Sequence, residues 1–285
     1  MEIGRLAVKT KLISLTNWPK KLIALGLFLV GAGLIAFASY YFIVPRIADH
    51  RLNSELEQAR KVDKSRLIPE QVRSGGTAAS SDVSPASSSI PLGDKLTFRY
   101  VNWKDVPSST DELGVRIVIP TIELDEEVVE LKIYEKDGVM NYETPKFAVG
   151  HLIDQDNIGS NRDVFLWGHI ESPWIHEGKP FKRLSETATY LAEGKAVDVF
   201  VYTKKHVYVY RIVDAKTSSP EDVGLGKNSG EPTLNLVSSW PPRGYWNRFI
   251  ATAKLVQVAD IPPDMQDPTV LKSLPSAYRA NGLLG

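Results

Sequence analysis

Three side chains stand where strand-like segments begin or end and are of types that can move protons or hold a reacting carbonyl. His169 closes DVFLWGH (163–169), Ser239 closes TLNLVSS (233–239) and Arg248 opens RFIATAKLV (248–256). Imidazole exchanges a proton near neutral pH. A hydroxyl becomes a nucleophile when a base takes its proton in the transition state. A guanidinium offers fixed donors that suit a carbonyl or an oxyanion. Each residue also has a bland reading: His169 as a hydrogen-bonded strand end, Ser239 as a hydroxyl serving its own backbone, and Arg248 as the partner of a surface carboxylate.

Composition removes other chemistries. The chain has no cysteine, which excludes disulfides, Cys-ligated zinc, iron–sulfur clusters and thiol catalysis. Lys plus Arg and Asp plus Glu number 34 each, for a formal net charge of zero, so no global field draws nucleic acid. His151, His176 and His206 lack metal-ligand spacing with one another and read as structural or solvent-facing. No metal and no cofactor is expected.

The elements that must position these residues begin with an anchor. Residues 22–44, LIALGLFLVGAGLIAFASYYFIV, carry no charge and span roughly 34 Å at about 1.5 Å per helical residue, enough for a bilayer. Basic residues Arg5, Lys9, Lys11, Lys20 and Lys21 precede the run, so residues 1–21 are expected in the cytoplasm and everything after Val44 outside the plasma membrane. A cleaved signal peptide using Ala36-Phe37-Ala38 is the rival reading. The apolar run continues past that point, which favours a retained single-pass anchor in contact with lipid through residues 22–44.

Residues 45–91 read as a linker. Leu52, Leu56 and Ala59 fall at helical spacing, and SGGTAASSDVSPASSS (74–89) lacks the apolar surface to fold. Residues 92–262 then read as one β domain, with strands at 115–120, 163–169, 196–203, 206–215, 233–239 and 248–256. Lys204-Lys205 marks a tight hairpin, and 180–193 is a helix candidate closed by Gly194. The proline-bearing tail, 263–285, is expected to be irregular.

Five short motifs in this order resemble the sortase family. They are IPTIELDEEV (119–128), Ala148-Val149-Gly150-His151 with Gly159-Ser160-Asn161, Gly168-His169, Asn235-Leu236-Val237-Ser238-Ser239 followed by Trp240-Pro241-Pro242, and Arg248-Phe249-Ile250-Ala251. The resemblance covers about Val115 to Val258. It implies a mainly β protein: a closed barrel of about eight strands with one or two short helices, behind the N-terminal transmembrane helix.

In such enzymes a cysteine attacks a peptide bond in a C-terminal sorting signal, and an amine resolves the acyl intermediate. The resemblance assigns the acid/base position to His169, the carbonyl or oxyanion position to Arg248, and the nucleophile position to Ser239, where the family has cysteine. Ser238, Trp240 and Trp246 fall beside the implied peptide groove and are the substrate-binding candidates.

Sulfur and oxygen are not equivalent here, because a hydroxyl needs a well-oriented base. Asp154, Asp156, Asp163 and Glu171 lie near His169 in sequence, and adjacency does not choose an orienter among them. Two functions follow from the resemblance. One is a membrane-anchored, Ser-dependent transpeptidase or acyl hydrolase acting on sorting-type peptides or surface proteins. The other is an inactive pseudo-sortase that binds peptides or scaffolds surface proteins. An unrelated surface barrel is disfavoured by the order of the motifs.

Overall fold

The computed structural model describes residues 20–74, 89–136, 139–153, 156–171, 176–225 and 228–275. The chain divides into two compact units, Met1–Val44 and Pro45–Gly285.

The first unit holds the apolar part of helix α1, Lys20–Lys61. By length and composition α1 can cross a membrane. Leu25, Leu27, Phe28, Leu34, Ile35 and Phe42 are exposed, and that much bare hydrocarbon calls for lipid as its solvent. One apolar helix near the N-terminus suggests a single-pass membrane protein.

The second unit is a closed barrel. Its strands are β1 (Arg99–Tyr100), β2 (Arg116–Ile119), β3 (Leu124–Glu130), β4 (Lys132–Lys136), β5 (Val139–Glu143), β6 (Val149–His151), β7 (Asp163–Trp167), β8 (Asp198–Tyr202), β9 (His206–Ser218), β10 (Thr233–Trp240) and β11 (Asn247–Asp260). Pairing runs β11-β10-β7-β6-β3-β2-β8-β9, and β9 pairs back onto β11. The result is eight strands with no open edge, the arrangement that removes exposed strand edges. Strand β1 adds to β11 from outside, and β4 and β5 form a separate hairpin. The barrel is mixed, because β10 with β7 and β3 with β6 run parallel. Register shifts in β11 at Thr252/Ala253 and Leu255/Gln257 supply the extra twist that a long strand needs to close a barrel.

The β-branched and aromatic runs expected as strands form β2, β7, β8, β9, β10 and β11. The interior takes alternate residues from all eight barrel strands: Ile117, Ile119, Val128, Val149, Val164, Leu166, Val199, Val201, Tyr210, Leu234, Leu236, Phe249 and Ala251 among them. The helix expected over 180–193 is shorter: a 3-10 turn at Leu184–Glu186 and α3 at Thr187–Ala192. Gly194, at φ +69°, ends it, a backbone conformation that costs glycine little.

Two segments that the sequence places outside the β domain pack against it. Leu52, Leu56 and Ala59, from the part of α1 in the second unit, and Leu67 join the barrel core. Val72, on the short α2 (Glu70–Ser74), joins an outer cluster with Ile90 and Phe98. The Gly/Ser-rich stretch lies outside the described residues but for its two ends. The tail expected to be irregular forms a 3-10 turn (Pro263–Met265) and α4 (Pro268–Ser273).

Arg116 explains why the described part of that tail packs on the barrel. Its Nε and Nη2 donate to the two Asp125 oxygens, both at 2.6 Å, and its Nη1 donates to Leu271 O at 2.9 Å and Leu274 O at 3.0 Å. Both charged side chains are fully buried, so the two carbonyls of the α4 end take up the Nη1 hydrogens of a guanidinium that water cannot reach. Proline spacing does not reveal this, because the guanidinium that recruits the tail lies far back in the chain.

Loss of one partner leaves the other as an uncompensated buried charge. Asp125→Ala is therefore expected to lower unfolding free energy by about 3–5 kcal/mol, and Arg116→Met with Asp125→Leu by less, read from urea unfolding of the detergent-solubilised chain. His151 gives a second expectation. It is 1 % exposed, its Nδ1 accepts from the Gly114 N–H at 3.4 Å and its Nε2 faces Asp156 O at 3.0 Å. Burial pushes its pKa down from 6.5 to about 4. The unfolded chain thus takes up this proton before the folded one does. The stabilisation from keeping His151 neutral is full above pH 6.5 and is lost as pH falls to about 4, a loss of roughly 3 kcal/mol. His151→Gln is expected to flatten that part of the stability–pH profile.

Candidate active site

Strand β10 is the centre of the site, because it is hydrogen-bonded on both edges. On one edge it runs parallel to β7, with Val237 opposite Trp167. The ladder continues one residue further, from the Gly168 N–H to Val237 O at 3.1 Å. On the other edge it runs antiparallel to β11, with Ser239 opposite Arg248. His169 and Ser239 each stand two residues beyond the Trp167–Val237 pair. Neighbouring strands lie about 4.8 Å apart, and directly opposed residues have Cβ atoms about 4.5–5.5 Å apart. The register therefore brings His169, Ser239 and Arg248 to one end of the barrel, with the serine on the middle strand.

Alternation decides which face they share. Phe165 and Trp167 of β7, Val237 of β10 and Ile250 of β11 form a cluster with Leu131, Leu152 and Val223, separate from the barrel interior. With side chains alternating every residue, Ser239 follows Val237 on that face, Arg248 precedes Ile250 on it, and His169 follows Trp167. All three are half-buried, at the rim of an apolar floor. Among the described residues the Ser239 hydroxyl makes no hydrogen bond, so it does not serve its own backbone.

Glycine at 168 is required by packing. A Cβ there would stand 2.7 Å from the Phe181 ring, which is wholly buried. Phe181 also donates its N–H to His169 O at 2.9 Å, so one residue fixes the histidine's backbone from both sides. The ring is held too: Nε2 lies 3.1 Å from Thr144 O and 3.7 Å from Glu177 Oε2. Arg248 Nη1 donates to Asn247 O at 3.1 Å and Tyr245 O at 3.4 Å. Among the described residues its Nε and Nη2 have no partner.

Two of the three substrate-binding candidates do not share this face. Ser238 and Trp240 follow Leu234 and Leu236 on the opposite face of β10, and they are 3 % and 7 % exposed. Trp240 belongs to the interior core, packs on Phe249 at 6.3 Å between ring centroids, and donates its Nε1–H to Asp49 Oδ1 at 3.1 Å. Neither can line a groove beside Ser239; the period of two turns them inward. Trp246, by contrast, is exposed, with its ring over Gly244, where a Cβ would fall 2.2 Å from it.

The contact of Glu177 with the His169 ring is one that sequence reasoning missed. The carboxylates adjacent to His169 in sequence are engaged elsewhere: Asp156 with Arg162 at 3.7 Å, Glu171 with Lys182 at 3.7 Å, and Asp163 with the Ser229 hydroxyl at 2.5 Å. Asp154 lies outside the described residues. Glu177 sits in a loop with no periodic pattern, and no local signal marks it. Among the described residues no group of three His, Cys, Asp or Glu side chains is arranged to hold a metal.

The sortase domain model matches residues 117–256, which run from β2 through most of β11 and include all three residues at the barrel end. These residues form a sortase domain. No curated protein matches the chain. Solved structures similar to it are also sortases. Sortase A of Listeria monocytogenes is 14 % identical, with 57 % of this chain and 99 % of that one covered at a TM-score of 0.39. The sortase D5 transpeptidase of Clostridium perfringens is 22 % identical, covering 50 % and 78 % at 0.37. The SrtF sortase of Corynebacterium diphtheriae is 17 % identical, covering 61 % and 100 % at 0.40.

The close fit at position 168 of this sortase domain makes an expectation. Gly168→Ala would force the added methyl into Phe181, at a cost of about 1–3 kcal/mol, and would shift the His169 backbone. A lowered unfolding midpoint, with changed chemical shifts of the His169 ring in spectra of the His-labelled protein, checks it.

Proposed function

We propose that this sortase acts from a membrane anchor on C-terminal sorting-type peptides, cutting and transferring them through an acyl ester on Ser239. The observation that carries the reading is the register: a half-buried hydroxyl with no hydrogen bond among the described residues, between a histidine just past the end of one neighbouring strand and an arginine on the other. The basic residues before the anchor support an outward-facing β domain at the plasma membrane.

In the proposed reaction the Ser239 oxygen attacks the substrate carbonyl carbon while His169 takes the hydroxyl proton. The negative charge that gathers on the carbonyl oxygen meets the free donors of Arg248. The carbon–nitrogen bond then breaks, and His169 returns the proton to the departing amine. An incoming amine, or water, loses a proton to His169 as it attacks the ester. Ser239 leaves with that proton, and the acyl group ends on the acceptor. The apolar floor of Phe165, Trp167, Val237 and Ile250 would lie under the substrate chain and keep water from the ester.

The expected outcome is a slow wild-type enzyme whose peptide adduct maps to Ser239 by mass spectrometry and whose rate is indifferent to thiol reagents. Ser239→Ala is expected to abolish the adduct. Ser239→Cys is expected to raise the rate and make it sensitive to alkylation, because a thiol ionises at far lower pH than a hydroxyl. Peptide binding to the wild type without any adduct, and without activity in Ser239→Cys, would sink the enzyme reading in favour of a peptide-binding scaffold.

A further inference from the structure

We propose that Glu177 is the positioning carboxylate of this site, holding His169 so that Nδ1 serves as the base for Ser239. The inference rests on the reading of Ser239 as nucleophile and adds a member that neither the family match nor the motifs assign.

The argument starts from the ring. Thr144 O, 3.1 Å from His169 Nε2, is a carbonyl and can only accept. In the neutral imidazole the hydrogen therefore resides on Nε2, and the lone pair on Nδ1. Glu177 Oε2 stands 3.7 Å from the same Nε2. When the ring takes a second proton at Nδ1, the positive charge forms beside a carboxylate. A serine site needs this arrangement from its third member: it fixes the tautomer and stabilises the imidazolium without itself taking the proton.

Glu177 is also held in place. Its carbonyl accepts the Phe147 N–H at 2.9 Å. Gly178, at φ +76°, leaves no room for a Cβ, which would fall 2.8 Å from Phe147 Cα. The His176 ring meets Phe147 edge-on, with centroids 4.9 Å apart. Residues 176–178 are thus docked on 144–147, the segment that contributes Thr144 O, and the two segments grip Nε2 together. Side-chain exposure is 25 % for His169 and 21 % for Glu177, so water screens the pair only in part.

A thiolate site has less need of such a group, because the nucleophile is ionised before it attacks. The carboxylate behind His169 is the feature expected where oxygen replaces sulfur. In the step it supports, the Ser239 O–H bond breaks as the bond to carbon forms, the proton moves to Nδ1, and the Nε2–H stays directed at Thr144 O and Glu177.

The test uses the full chain in detergent with histidine ring nitrogens labelled, and an alkyl fluorophosphonate as a probe that transfers phosphorus to an activated serine with loss of fluoride. The wild type is expected to show His169 as the Nε2–H tautomer and to be labelled at Ser239. Glu177→Ala is expected to mix the tautomers and slow labelling at least tenfold. Glu177→Gln, nearly the same size, is expected to keep the fold, as checked by the urea midpoint, and to slow labelling through loss of charge alone.

Labelling of wild type and both variants at one rate, with the tautomer unchanged, would overturn the role of Glu177 and leave Ser239 as nucleophile. A wild type that is never labelled, yet loses its single tautomer in Glu177→Ala, would overturn the enzyme reading while upholding the contact. Loss of the tautomer in neither variant overturns the proposal whatever the labelling shows.

Discussion

The site depends on β10 being hydrogen-bonded along both edges, parallel to β7 on one side and antiparallel to β11 on the other. A strand so held cannot slip, since a shift of one residue would carry Leu234 and Leu236 out of the interior core and turn Ser239 inward. The same pairing that packs the barrel therefore sets the position of the hydroxyl. Closure of β9 onto β11 extends the constraint around the ring, because no strand of a closed barrel can change register alone.

Segments from both ends of the second unit reinforce the barrel. Leu52, Leu56 and Ala59 join the core on one side of the sequence, and Leu271 is buried on the other. Trp240 links the first of these to the site, since the residue after Ser239 donates its indole N–H to Asp49. Arg116 ties down the second through the carbonyls of Leu271 and Leu274. Both ties are polar groups that must find partners once desolvated. Both bring residues that look like linker or tail in the sequence into a domain whose β strands alone would leave those groups unpaired.

What could be read from the sequence follows from how local each signal is. The six strands were legible because β-branched and aromatic runs bounded by turn residues state a period of two within a few positions. The family order was legible because the motifs sit at strand termini. Nearness in sequence does not carry Ser238 and Trp240 onto the face of Ser239, because adjacent residues of a strand face opposite ways. The ordered tail and Glu177 were illegible for a different reason. Arg116 meets Leu271, and Glu177 reaches back to a ring held by Thr144, through contacts that no local pattern encodes.

With Ser239 as the proposed nucleophile, oxygen in place of sulfur moves the chemical demand from the nucleophile to its base. A cysteine's pKa, about 8.5 when unperturbed, is close enough to neutrality that positive neighbours can ionise it. A serine cannot be ionised that way, so its reactivity rests on how well the histidine is aimed and how well the imidazolium is stabilised. In the proposed reaction Arg248 answers a need common to both nucleophiles, the charge on the carbonyl oxygen. It supplies nothing to the ring. The informative atom for the proposed serine reading is therefore His169 Nε2, whose two neighbours are a carbonyl oxygen and a carboxylate oxygen, both acceptors, which leaves Nδ1 as the proposed base.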